Sequence, residues 1–344
     1  MALAFDAPRG LSDVTDRAVT AIVVVHGSSA ATVSECLTSL IRSREVDVRI
    51  VLVDNASPDG GRACQPWRDH AQVQLVTAQR NRGFAAGVNL GLAHRRPEDL
   101  VLLLNDDAVV EPQAIALCAA ALLGDPTVVA VAPRVMLANQ RELIDSVGVV
   151  VRPNGEAFNA FIGQLWTGQV ADGADVLGPC FGAGLFRWDA FEPAIVGPPD
   201  ERYFLYYEDI DWALRAQRAG WRSIAATNAV VFHQHAASTR SLGEPARYEL
   251  VQRNLLVCAA KNLTPRTAAR VWCSRIVVHT KGLITGPYRL QRVRAVGRAG
   301  AMLPRAIWAR RDLPRRRAVA ESALFRYSVG LEPDFDPLTF RAGS

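Results

Sequence analysis

Short β-branched runs recur at 21–25, 48–53, 73–77, 100–104 and 128–132, and longer segments with helical spacing lie between most of them. Buried parallel strands read as continuous apolar runs, so this alternation predicts an α/β fold, a parallel sheet covered by helices. Val33, Leu37, Leu40 and Ile41 follow the i, i+4, i+7, i+8 spacing of one buried helix face, with Ser29 or Thr32 near the start as cap. A second helix is expected over 84–94. Glu111-Pro112 is expected to open a third, because proline fits the first helical turn and an acid there complements the helix dipole.

From about Ile144 the period loses its regularity, with shorter strands, more glycine and proline, and aromatic residues at Phe158, Phe161, Trp166, Phe181 and Phe186. Helical spacing returns over 209–219, stopped by Gly220, and again over 246–261. The division expected is a loose leader over 1–18, a main domain over 19–262 with halves 19–140 and 141–262, and a basic, mainly helical extension over 263–344.

Charge sharpens that last boundary. The segment 266–317 holds fourteen Lys or Arg against one acid, Asp312, a net +13 that leaves −8 for the rest of the +5 chain. Its arginines interleave with Tyr288, Leu290, Val293, Met302, Leu303, Ile307 and Trp308, a composition that suits the anionic surface of a membrane as well as a solvated helix face or an oligomer contact. No nucleic-acid reader motif accompanies it, and no nucleic-acid partner is expected. The longest apolar run, 114–123, is about half of what a bilayer-spanning helix needs, and no charged-then-apolar signal segment opens the chain. The expected location is cytoplasmic, with peripheral attachment to the inner face of the plasma membrane. Six cysteines without a CxxC pair argue against a disulfide framework and a structural zinc site.

Three acidic motifs fall where an open α/β sheet presents its ligands, at the carboxyl ends of strands. In Val53-Asp54-Asn55-Ala56-Ser57 a carboxylate just past a buried strand fits a nucleobase or ribose contact, and equally an Asx turn. In Leu102-Leu103-Leu104-Asn105-Asp106-Asp107 an apolar strand delivers two adjacent carboxylates, which either bind a divalent cation with diphosphate oxygens or form a solvated acidic turn. In Tyr203-Phe204-Leu205-Tyr206-Tyr207-Glu208-Asp209-Ile210-Asp211-Trp212 crowded aromatic residues precede three acids. Glu208 or Asp209 there either caps the helix or, poorly solvated beside bulky apolar groups, acts as a base for an incoming hydroxyl. Between the first two motifs, Asn81-Arg82-Gly83-Phe84-Ala85-Ala86-Gly87-Val88-Asn89 opens a helix whose N–H groups face the cleft and whose glycines allow close backbone approach.

In this order, and extended by Arg218-Ala219-Gly220-Trp221 and Val231-Phe232-His233, the four motifs resemble glycosyltransferase family 2, in particular its bacterial rhamnosyltransferase-like branch, over residues 20–260. The resemblance implies a GT-A, Rossmann-like fold with a mixed, mainly parallel sheet flanked by helices. It implies inverting transfer of a sugar from a nucleotide-diphosphate donor, dTDP-rhamnose first and a UDP-hexose second, to a glycan or polyprenyl-diphosphate-linked hydroxyl. Carried over by position, it makes Asp54 the nucleobase-binding acid and Asp107 the ligand of Mg2+ or Mn2+. Asp106 then stands nearer the donor sugar or ribose, and Asp209 is the catalytic base. His26, Asn55, Gly83 and Asn105 complete the expected donor site, and Glu208 and Trp212 the acceptor side. His233 is either a second metal contact or a structural histidine.

Two departures from the family pattern bear on the site. Val25-His26-Gly27-Ser28 stands where many members carry a Thr-Tyr-Asn turn, and Gly197-Pro198-Pro199-Asp200-Glu201-Arg202 puts proline where an aromatic residue is usual before the third motif. Two other classes fit less well. A module that binds a nucleotide sugar without turnover has no use for an acid pair on the acceptor side. A nucleotidyltransferase is expected to carry a glycine-rich, basic phosphate loop, for which Gly27-Ser28-Ser29 is too poor.

Overall fold

The structure, a computed structural model, describes residues 18–97, 99–234, 243–311, 319–328 and 331. Nearly all of the expected leader and the Arg315-Arg316-Arg317 cluster lie outside the described residues.

The first half alternates as its pattern demands: β1 (Val19–Val25), α1 (Ala30–Ile41), β2 (Val48–Asp54), β3 (Val73–Thr77), α2 (Phe84–Leu92), β4 (Leu100–Asn105), β5 (Ala108–Val110), α3 (Ala114–Leu123) and β6 (Val128–Leu137). The irregular middle forms β7 (Gln140–Ser146), β8 (Val149–Val151), β9 (Ala157–Asn159), β10 (Asp175–Val176) and β11 (Ala183–Phe186). Then come α4 (Glu208–Arg218), β12 (Arg222–His233), α5 (Glu244–Asn262), α6 (Pro265–Thr285), α7 (Arg289–Ala309) and the short α8 (Glu321–Phe325).

Ten strands join in one sheet of order β10-β12-β6-β11-β4-β1-β2-β3, with β5 added to β12 and β7 to β6. Strands β3, β2, β1 and β4 run parallel, and β11 enters antiparallel between β4 and β6. Side chains alternate across a strand, so the all-apolar strands feed two cores. Ala21, Val23, Ile50, Leu52, Leu102 and Leu104 pack on one side with Leu37 and Leu40 of α1 and Ile115 of α3. Ile22, Val24, Val51, Val53, Val101 and Leu103 pack on the other with Val88 and Leu92 of α2 and Trp212 of α4.

Ser29 caps α1 by accepting the Thr32 N–H at 3.1 Å. The third helix begins at Ala114 instead of Pro112, because the Glu111 N–H still bonds Val230 O of β12 at 3.0 Å and the chain must turn before it can coil. Val271 of α6, Ala299 and Ala306 of α7 and Leu324 of α8 join the first core, so the basic extension packs on the sheet domain through α5. No helix among the described residues is long and apolar enough to cross a membrane.

Gly87 and Gly91 let α2 lie against β1. A Cβ at Gly91 would stand 2.4 Å from Ile22 Cγ2. Alanine normally gains about 1 kcal/mol over glycine within a helix, but Ile22 is buried in a packed core and cannot yield. Gly91→Ala is expected to lower the unfolding free energy by about 1–3 kcal/mol in urea titration, the opposite sign to its helix propensity.

Candidate functional site

The carboxyl ends of β1, β2 and β4 bring the expected donor residues to one edge of the sheet. Asp54, the last residue of β2, is buried, and its Oδ1 accepts the Ser57 N–H at 2.9 Å. That bond reaches three residues on, one further than the Asx turn the sequence allowed. Gly61, at φ +75°, lets the other oxygen pack close, since a Cβ there would stand 2.3 Å from Oδ2.

His26 and Asn55 do a different job from the donor contacts expected of them. The buried Asn55 donates from Nδ2 to Gly83 O at 3.0 Å and to Asn81 Oδ1 at 3.3 Å. The His26 ring bonds Asn55 O through Nδ1 and Asn81 Nδ2 through Nε2, both at 3.0 Å, so Nδ1 carries the proton and Nε2 accepts. These bonds fasten the first motif to the glycine-bearing segment 81–89. Gly83 (φ +94°) is corrected likewise: a Cβ there would meet Phe204 O at 2.2 Å, so its close approach is to the third motif, whose Phe204 O accepts the Phe84 N–H at 2.6 Å. Arg82 and Asn89 extend this seam to Glu201 at 2.6 and 3.1 Å.

Asn105, Asp106 and Asp107 form the corner between β4 and β5. Asp106 is buried, its Oδ2 has no hydrogen-bond partner, and burial followed by the Asp107 charge pushes its carboxyl up to about 7. The pairing of β5 with β12 sets His233 opposite Ala108 and so beside Asp107. The ring lies between two acids, with Nε2 3.0 Å from Asp107 Oδ1 and Nδ1 2.6 Å from Asp145 Oδ2. Burial alone would lower its basicity, but the two carboxylates outweigh it and hold His233 well above the usual histidine range. The Asn105 side chain also reaches His233, at 3.1 Å. Asp145 was not visible as a site residue in the sequence, where it sits within an ordinary strand pattern. Among the described residues no three carboxylate, imidazole or thiolate groups converge as a ligand set. Asp107, with Asp106 adjacent, is therefore the chain's candidate share of a cation shell that diphosphate oxygens would have to complete, while His233, with both ring nitrogens against carboxylates, fits the structural alternative.

The acceptor motif is built on an unusual backbone. Phe204, Tyr206 and Tyr207 all have positive φ, at 67°, 69° and 73°. Each costs energy for a bulky residue and persists only where its surroundings enforce it. Asn254 of α5 supplies much of that enforcement, donating to the carbonyls of Tyr203, Leu205 and Tyr206 at 3.0, 2.8 and 2.7 Å, while Arg253 donates to Tyr203 O at 2.6 Å. Neither Glu208 nor Asp209 caps α4, since Tyr207 is the cap residue and makes no side-chain capping bond.

The three acids of this motif have opposite environments. Burial raises both Asp209 and Glu208, and the Asp209 charge raises Glu208 further. The Ile210 N–H, 2.7 Å from Asp209 Oδ1, only partly offsets this for Asp209. Asp211 goes the other way. Burial would raise it, but Lys261 and Arg215 hold it below the usual carboxylate range, with Lys261 Nζ 2.8 Å from both Asp211 and Asp200 and Arg215 Nε 2.9 Å from Asp211. Groups whose environments drive their basicities apart are the ones that divide into chemical and structural roles. Trp212 is corrected as well. It is fully buried against Phe181, Phe186 and Phe191 and donates to Gly197 O at 3.1 Å, so no acceptor reaches it. The carbonyls of the proline-bearing segment become acceptors for neighbouring helices, Pro198 O for Arg215 and Pro199 O for Asn89.

The segment before β11 joins the acid clusters. The Phe181 backbone contributes a hydrogen bond that favours ionised Asp209, and Gly182 O accepts the Asn105 N–H at 2.9 Å. The Cys180 thiol, pushed up to about 11 by burial, feels both Asp145 and Asp209. The donor-end acids and Asp209 thus border the same short segment.

Residues 20–145 match the model of the glycosyl transferase family 2. That stretch, about a third of the chain, is similar to the family 2 glycosyltransferases. With it, the chain is a nucleotide-sugar-dependent glycosyltransferase. This transferase is 28% identical over 246 residues to the N-acetylglucosaminyl-diphospho-decaprenol L-rhamnosyltransferase of Mycobacterium tuberculosis, in strains CDC 1551 / Oshkosh and ATCC 25618 / H37Rv alike, an alignment covering 63% of this chain and 76% of the relative. Among solved structures its fold is similar to that of GalNAc-T7 with UDP, GalNAc and Mn2+, with a TM-score of 0.59 and 14% identity over 86% of this chain and 58% of the other. The mannosyltransferase PcManGT from Pyrobaculum calidifontis, in complex with GDP-Man and Mn2+, matches with a TM-score of 0.48 and 18% identity over 85% and 88% of the two chains. The transferase has a mixed, mostly parallel sheet flanked by helices, as GT-A enzymes do.

Removing the amide that restrains the third motif tests this geometry. Asn254→Ala is expected to cost about 1–3 kcal/mol of stability in urea titration and to lower turnover by more than the loss of folded protein accounts for, because Phe204–Tyr207 would relax and carry the acids with it.

Proposed function

We propose that the chain transfers a sugar, with inversion, from a nucleoside-diphosphate donor to a hydroxyl of a lipid-linked glycan acceptor, with Asp209 as the base. The observation that carries this reading is the raised Glu208–Asp209 pair, tied through Phe181–Gly182 to the Asn105-Asp106-Asp107 corner. A carboxylate with raised basicity on the acceptor side has work to do only if a proton must leave the acceptor.

The donor end of the cleft suits a nucleotide diphosphate. Asp54, at the carboxyl end of β2 with Gly61 beside its Oδ2, would take the base or ribose. Asp107 would hold a divalent cation, Mg2+ or Mn2+, with His233 beside it and the orphaned Asp106 oxygen facing the ribose or donor sugar. Such an ion, when bound, would supply charge stabilisation for the departing diphosphate. The chain's own residues do the rest: Asp209 accepts the acceptor proton, Glu208 lies next to it, and the Gly83–Phe204 seam aligns donor and acceptor sides.

The mycobacterial relative's name supports L-rhamnose as the sugar and a polyprenyl-diphosphate-linked acceptor; we read the donor as dTDP-rhamnose and the place of reaction as the inner face of the plasma membrane. A UDP-hexose is the second donor reading.

Asp209→Asn is expected to leave donor binding largely intact and to reduce turnover by about two or more orders of magnitude. Wild-type kcat/KM should fall as pH drops through a range displaced above that of an ordinary carboxylate, because the base must be ionised and burial favours its neutral form. A carboxyl raised on folding binds its proton more tightly in the native state, so the wild type loses stability as pH rises through the same window. The Asn variant should escape this loss and melt no lower than wild type at neutral pH. Wild-type transfer rates in the variant would overturn the assignment.

A further inference from the structure

The α6–α7 hairpin leaves a face that nothing among the described residues covers. Ala268, Val271, His279 and Gly282 of α6 and Ala295, Ala299 and Ala306 of α7 are buried within the fold. On the outer side of α6, Arg270, Val277, Lys281 and Ile284 follow one another at spacings of seven, four and three residues, which is one helical stripe. On α7, Leu290, Arg294, Arg305 and Trp308 repeat the arrangement. Ile284 is 73% exposed and Trp308 63%, values high for large apolar side chains on a helix already packed against a protein core. Arg270, Lys281, Arg294 and Arg305 form no ion pair among the described residues.

Charge selects among the possible occupants of this face. From Thr264 to Arg311 the sequence contains eleven Lys or Arg and no Asp or Glu. A second copy docked through the same face would set like charges against like charges. A nucleic acid would meet the cations but leave Val277, Ile284, Leu290 and Trp308 without apolar cover. An anionic bilayer satisfies both components, because basic side chains reach its headgroups while aliphatic and indole groups enter the headgroup–acyl boundary.

We propose that the outer face of α6 and α7 is a membrane-docking surface that binds anionic lipid and holds the acceptor side of the cleft against the bilayer. The proposal rests on the lipid-linked acceptor for its purpose, though not for its physical argument. The helices are joined to the acceptor motif by a short path. Arg275 of α6 donates to Glu156 at 2.7 Å, and the neighbouring Gly155, whose φ of +83° and lack of a Cβ let Val271 and Leu255 close over it, accepts the Tyr207 hydroxyl at 3.0 Å. Tyr207 immediately precedes Glu208 and Asp209. Docking through this face would bring the proposed base close to the surface in which a polyprenyl acceptor is anchored.

The test is flotation of the full chain with phosphatidylcholine vesicles and with vesicles containing phosphatidylglycerol. The wild type should float with the anionic vesicles, much less with the neutral ones, and less as salt rises. Two double variants separate the components: Ile284→Asp with Leu290→Asp on the apolar stripe, and Arg294→Ala with Arg305→Ala on the basic one. Each lost cation should weaken partitioning by about fivefold, and the aspartates should abolish it. Both variants should keep the wild-type melting temperature, since all four side chains are exposed. Absence of wild-type flotation, equal flotation of wild type and variants, or a self-association in sedimentation that the variants remove would each overturn the proposal. Flotation requires no turnover, so it can fail while the transferase reading stands, and the transferase reading can fail while flotation succeeds.

Discussion

The structure turns on two adjacent carboxyl groups at the start of α4, Glu208 buried and Asp209 half-buried. No cationic side chain is among the groups that perturb them, a costly arrangement that a stability-driven sequence would avoid. Much of the surrounding sequence holds them there. The run of left-handed backbone from Phe204 to Tyr207 swings the acids into position, Asn254 restrains its carbonyls, and the Asp211–Lys261–Asp200 ion pairs anchor the first turn of the helix from beneath. Removing either partner of such a buried pair strands a charge at about 3–5 kcal/mol. The anchor and the chemical pair are therefore two parts of one motif, with Asp211 in the structural role.

The donor end follows a related logic. Asp106 has a buried oxygen without a partner, and Asp107 shares His233 with Asp145, so the corner gathers more negative charge than the protein itself neutralises. A cation or a donor hydroxyl would relieve it. The two ends are held in fixed relation by the approach of Gly83 to Phe204 and by Phe181–Gly182, which borders Asp209 on one side and Asn105 on the other.

The acids and their order could be read from the sequence because each closes a strand or opens a helix whose apolar period is plain. The sheet was legible for the same reason, up to the point where β11 enters antiparallel, since four apolar residues carry no direction. What a linear pattern could not convey is which polar atoms are already engaged. Asn55, His26 and Gly83 lie in the right motifs, yet face other motifs instead of a ligand. Trp212 follows the acids by three residues and, on a helix, that turns it into the core. Asp145, Asn254 and Lys261 reach the site from distant positions. The only trace of them in the sequence is a polar residue interrupting an otherwise apolar stretch, as Asn254 does before Leu255-Leu256.

The central claim is that a diphosphate at Asp106–Asp107 and the carboxylate of Asp209 face one another across a single reactive carbon. A crystal structure of the Asp209→Asn protein with an intact nucleotide sugar and Mn2+ tests it most directly. The account predicts diphosphate oxygens and metal at Asp107, the base over Asp54, and the anomeric carbon exposed toward residue 209 with room for one hydroxyl between them. A donor whose diphosphate lies away from Asp107, or whose anomeric carbon turns away from residue 209, would contradict it.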